Sequence, residues 1–140
     1  MIMLKNLIRE YKEEPSELDA SITVAITRKD DGVYNKVKHH FSKCGDAFLD
    51  VDERKIYIDG EVVDKEKWTR DHLLFTQAHE LMHIRLGHDA DNHDEAYTDY
   101  CAVHYLYKKG HKEAAKIGIS QFEYRNGIKF EDYMDNINDK

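Results

Sequence analysis

The sequence predicts an α+β fold, with a small antiparallel or mixed sheet early in the chain packed on helices that fill the remainder. Three observations predict it. Ser21 to Arg28 alternates Ile22, Val24 and Ile26 against Thr23, Ala25 and Thr27, a β-branched strand pattern. Asp46 to Asp50 and Lys55 to Asp59 are two short alternating runs, spaced as a hairpin across a polar turn near 52–54. From Asp64 to Lys109, helix formers dominate, broken only around Gly87 and the acidic stretch after it.

Met1 to Glu13 carries Ile2, Leu4, Leu7, Ile8 and Tyr11 at helical spacing, which predicts an amphipathic N-terminal helix ended by Pro15. Lys29-Asp30-Asp31-Gly32 reads as a turn, and Val33 to Phe41 fits a short helix or a strand. Asp59-Gly60 is a further turn signal. Asp64 is placed to cap a helix that runs through Trp68, Leu74, Ala78, Leu81 and Met82 to a stop at Gly87. A second helix is expected near His93 to Lys109, with Gly110 just past its end. Lys112 to Ile117 and Ser120 to Asn126 follow as shorter pieces, with Gly127 as a break and a last turn near Glu131 to Met134.

A chain of 140 residues is expected to form a single domain over 1–140 without staples. Nine Tyr, five Phe and one Trp supply a core, although charged residues make up 35% of the chain. The net charge of −7 argues against a nucleic-acid partner, because phosphate binding needs clustered Lys and Arg. No apolar run approaches the roughly 20 residues of a membrane helix, and the N-terminus lacks a signal-peptide core, so a cytoplasmic location away from membranes is expected. Cys44 and Cys101 form no CxxC pair and read as reduced thiols, Cys101 within a helix core.

His79-Glu80-Leu81-Met82-His83 matches H-E-x-x-H. On a helix, residues i and i+4 stack on one face with Cβ atoms about 5–6 Å apart. Two imidazoles so placed can share one Zn2+ with Zn–N distances of about 2.0–2.1 Å. Glu80, one residue on from the first ligand, points to the side, where it can hydrogen-bond a metal-bound water as the catalytic carboxylate. Twelve residues after His83 stands Glu95, and Asp99 follows at i+4 on the same face. Glu95 is the favoured third ligand, because it begins an ordered helix with a second carboxylate behind it. His88 and His93 are rival ligands; Asp91 and Asp94 are poorer ones. Asp99 is placed to accept the Nδ1–H of an imidazole and fix its tautomer, and Ala102 to let the two helices approach closely. His39, His40, His72 and His111 read as surface residues, and Tyr97, Tyr100 and His104 as packing residues.

HELMH followed by E-A-Y-T-D-Y-C-A resembles the ImmA/IrrE family of metallopeptidases, within the thermolysin-like gluzincin group. That family pairs an HExxH helix with a helix of the form E-x-x-A-[ND]-x-F-A. Glu95, Asp99 and Ala102 fall on its Glu, Asn/Asp and final Ala, while Thr98 and Cys101 stand where it has Ala and Phe. The resemblance implies a zincin-like minimal peptidase with residues 91–110 as the third-ligand helix and 111–140 as a helical C-terminal segment. It implies zinc held by His79, His83 and Glu95, with Glu80 driving hydrolysis of a peptide bond in a protein or peptide substrate. The family's Leu-Met-Pro segment is replaced by Tyr105 to Lys109, so repressor cleavage is not carried over. Two other readings remain: a non-catalytic zinc-binding interaction module, or a SprT-like protease with His88 as third ligand.

Overall fold

The computed structural model describes residues 11–87 and 94–138. These residues form an α+β structure with one mixed four-stranded sheet and six helices. The chain divides into two compact units, Met1–Trp68 and Thr69–Lys140.

The first unit holds strands β1 (Lys12–Pro15), β2 (Thr23–Thr27), β3 (Ala47–Asp50) and β4 (Lys55–Asp59), with helices α1 (Tyr34–Cys44) and α2 (Gly60–Glu66). The sheet order is β1-β2-β4-β3. β1 runs antiparallel to β2, β2 pairs in parallel with β4, and β3–β4 is the expected hairpin, with Asp50 opposite Lys55. The register brings Ala25, Tyr57 and Phe48 into one row. They form a buried cluster with Phe41 of α1, against which Val33, Tyr34 and Val37 pack. Phe48 stacks on Tyr57 with ring centroids 5.0 Å apart, the offset arrangement that ring quadrupoles favour. The neighbouring row, Val24 and Ile56, is buried as well.

Several expectations are corrected in this unit. Lys12–Pro15 is a strand and not the end of a helix; Met1 to Glu10 lie outside the described residues. β2 is the expected strand, and Ala25 and Thr27, which alternate with its larger apolar residues, are both fully buried. The ambiguous stretch after Gly32 is helix, because Val37 and Phe41, one turn apart, cover the aromatic row. Asp59-Gly60 opens a helix, with the Asp59 carboxylate accepting from the Glu61 N–H. A Cβ at Gly60 would stand 2.9 Å from the Thr27 carbonyl oxygen, so α2 can start against β2 only without a side chain there.

The second unit is helical: α3 (Arg70–Arg85), α4 (Glu95–Lys108), α5 (Lys112–Asn126) and α6 (Phe130–Asn138). Thr69, and not Asp64, caps α3 by accepting from the His72 N–H; Asp64 instead pairs with Arg28 in the first unit. Gly87 and Gly110 take left-handed φ values of 69° and 86°, ending α3 and α4 where the sequence places stops. The two pieces expected after Gly110 are one helix, α5, which passes through Gly118. Leu74, Phe75, Ala78, Ala102, Val103, Leu106, Ala114, Ala115 and Phe122 build the core of this unit. Cys101 is only half-buried, so the expectation that it is a core residue is not met, and both cysteines are free. No helix among the described residues is long and apolar enough to cross a membrane.

Candidate metal centre

All the residues of the candidate site belong to the second unit. His79 and His83 lie one turn apart on α3, their ring centroids 4.7 Å apart and nearly perpendicular. The two Nε2 atoms are 3.1 Å apart. Glu95, the first residue of α4, brings Oε2 to 2.8 Å from His79 Nε2 and Oε1 to 3.2 Å from His83 Nε2. Asp94 caps α4 by accepting from the Tyr97 N–H at 3.0 Å, which fixes where the helix begins and so where Glu95 stands. The carboxylate of Asp94 is thereby committed to the cap.

Donor separation is a direct test of whether an ion fits. Three ligands about 2.0–2.1 Å from a tetrahedral ion stand about 3.3 Å apart. The Nε2–Nε2 separation of 3.1 Å lies close to that spacing, and Glu95 meets the two nitrogens with different oxygens, Oε2 at 2.8 Å from His79 and Oε1 at 3.2 Å from His83. Two imidazole nitrogens and one carboxylate oxygen are also the donor types that a borderline cation such as zinc accepts. His79, Glu80 and His83 form a group whose donor atoms all lie within 4.8 Å of one another.

Asp99, one turn beyond Glu95 and 1% exposed, accepts a hydrogen bond from His79 Nδ1 at 2.7 Å. This is the arrangement expected from the Glu95/Asp99 spacing. It holds a proton on Nδ1 and turns Nε2 toward Glu95 and His83. Phe75 sets its ring edge-on to His79, with centroids 6.2 Å apart, which limits rotation of the imidazole.

The electrostatics follow from this crowding. Hydrogen bonds from His79 and His83 hold the Glu95 carboxyl far below the usual carboxylate range. Burial acts to lower the His79 pKa, but the bonds to Asp99 and Glu95 outweigh it and push His79 up to about 9. Burial raises Glu80, against the opposing charges of the two imidazoles. The cluster thus shares a proton between His79 Nε2 and the Glu95 carboxylate, 2.8 Å apart.

The rival ligands His88, His93 and Asp91 lie outside the described residues. Tyr97, Tyr100 and His104 are placed in an aromatic cluster: Tyr100 stacks on Tyr97 at 5.9 Å and Phe130 at 5.8 Å, with His104 edge-on at 4.5 Å. One site residue was not foreseen. Arg125, in the last turn of α5, donates through Nη2 to Asp99 Oδ1 at 2.9 Å. Its only sequence signal is indirect, namely that a buried carboxylate such as Asp99 demands a counter-charge from somewhere. No family model, curated protein or solved structure matches this chain.

Proposed function

We propose that this chain is a zinc-dependent metallopeptidase of the gluzincin type, built on a zincin-like helix pair and similar to the ImmA/IrrE family. In this reading His79, His83 and Glu95 hold the ion and Glu80 is the general base and acid. The substrate is a protein or peptide. The observation that supports it most is the convergence of two imidazole nitrogens and one carboxylate to separations of 2.8–3.2 Å, from two helices. Structural zinc sites are normally closed by four protein ligands, often Cys, whereas this set offers three.

When bound, zinc supplies an open Lewis-acidic position that polarises the scissile carbonyl and acidifies water toward a pKa of about 7. Glu80 is next to the ligand His79, and a carboxylate oxygen of its side chain lies within 4.8 Å of a ring nitrogen of each histidine, within reach of a water held beside the ion. Its carboxylate oxygen takes the proton from the attacking water and returns it to the leaving amide nitrogen. Burial raises its pKa, which brings it nearer to the range where one carboxyl can both accept and donate close to neutral pH. Asp99 holds a proton on His79 Nδ1, so that Nε2 is the nitrogen offered to the ion.

Glu80→Gln preserves shape and removes the titrating oxygen. It is expected to keep wild-type zinc content while lowering cleavage by about 10²–10⁴-fold. Comparing protein termini in cells carrying the active and substituted chains identifies the substrate, and a cleavage assay on it measures the loss. A Glu80→Gln protein as active as wild type would overturn the mechanism.

A further inference from the structure

We infer that Arg125 is a positioning residue for this metal centre: through Asp99 it locks the His79 imidazole with Nδ1 protonated and Nε2 directed at the ion. The inference rests on the zinc reading above. Asp99 is 1% exposed, and a buried carboxylate is costly unless its charge is compensated. The bond from His79 Nδ1 supplies a donor, but a metal-ligating imidazole is neutral and leaves the charge of Asp99 unmatched. Arg125 matches it. Its Nη2 lies 2.9 Å from Oδ1 and 2.9 Å from Oδ2, so one nitrogen straddles the carboxylate, and Oδ1 accepts from both Arg125 and His79. A guanidinium stays protonated at any physiological pH, so this counter-charge does not come and go with the chemistry at the other face of His79.

The last turn of α5 is built to hold that arginine in place. Gly127 ends the helix in the left-handed region at φ 67°, and Asn126 Nδ2 donates to the Phe122 carbonyl at 2.8 Å. The Phe130 N–H, at the start of α6, donates to Glu123 Oε2 at 2.9 Å, tying the next helix back onto α5. Three helices therefore contribute to one line of contacts: Arg125 from α5, Asp99 from α4 and His79 from α3. The Arg125 side chain is 42% exposed, so shortening or neutralising it opens no core cavity.

The test uses the full chain and zinc itself, titrated against a chromophoric chelator, with thermal melts of the zinc-free proteins alongside. Arg125→Gln is expected to weaken zinc about 10-fold, the lower end of the range of about 10–100-fold that follows loss of the partner of a metal-ligating histidine itself. Arg125→Lys, which restores a cation without the planar fork, is expected to recover part of that loss. In an Asp99→Asn background, Arg125→Gln is expected to cost zinc affinity little further, because Asp99 is the contact that links the arginine to His79. Wild-type zinc affinity in Arg125→Gln would overturn the inference while leaving the zinc reading intact. So would losses from Arg125→Gln and Asp99→Asn that simply multiply, or a loss that Arg125→Lys fails to reduce at all. A wild-type chain that takes up no stoichiometric zinc would overturn both readings.

Discussion

The carboxylate of Asp31 joins two elements of the first unit by itself. It accepts from the Arg28 N–H at 2.6 Å and the Thr27 hydroxyl at 2.8 Å behind it, and from the Val33 and Tyr34 N–H groups at 2.9 and 3.1 Å ahead. It thus satisfies orphan donors at the start of α1, where Val33 occupies the cap position and has no capping side chain. Burial acts to raise the Asp31 pKa, but these hydrogen bonds outweigh it and hold the carboxyl below its ordinary value. A depressed folded-state pKa contributes stability that is present above the ordinary aspartate value of about 4 and is lost as the pH falls through the lower folded value. Asp31→Ala is expected to cost about 1–2 kcal/mol at neutral pH. Urea titrations should show the gap between wild type and variant closing in acid; a gap that stays constant with pH would contradict this role. In the sequence, Asp31 was legible only as part of a turn, because three of its donors are backbone N–H groups that no spacing rule names. His79, His83, Glu95 and Asp99 were legible because helical geometry alone dictates what i,i+4 neighbours share. Arg125 was not, since it reaches Asp99 from 26 residues away along the chain.

At the scale of elements, α5 shows why local propensity misled. Gly118, which lowers helix propensity by about 1 kcal/mol relative to alanine, lies between the two pieces expected at 112–117 and 120–126. The packed structure overrides that preference: Ala114, Ala115 and Phe122 are fully buried along one continuous helix. Glycine at 118 is what permits the packing. A Cβ there would stand 2.8 Å from the Phe75 ring of α3 and 2.8 Å from Val103 Cγ2 of α4. Overpacking of this kind costs about 1–3 kcal/mol, against a propensity gain of about 1 kcal/mol, so Gly118→Ala is expected to destabilise on balance. Because Phe75 also packs on His79, the same substitution should weaken zinc binding. A Gly118→Ala chain that melts higher than wild type with unchanged zinc affinity would show that the three helices are not held this tightly. Helix ends were read well where glycine forces a left-handed residue, as at Gly87 and Gly110. They were read poorly at Asp64, whose capping chemistry is spent on Arg28.

For the whole molecule, the α+β class and the β3–β4 hairpin were legible because both depend on local alternation and turn length. The parallel pairing of β2 with β4 was not: Val24 meets Ile56 only after the chain has passed through α1 and β3. Nor was the burial of Ala25 and Thr27, since alternation marks one covered face and cannot say that the other is covered too. The candidate metal centre draws His79 and His83 from α3, Glu95 and Asp99 from α4, and Arg125 from α5, all within Thr69–Lys140. In the proposed function, Glu95 completes a three-ligand zinc site with the two histidines. Zinc titration of the full chain beside its Glu95→Ala and His88→Ala variants tests this most directly. One tightly held zinc per wild-type chain is expected, retained by His88→Ala and lost or severely weakened by Glu95→Ala. Retention of that zinc by Glu95→Ala at wild-type affinity, or its loss from His88→Ala, would contradict it.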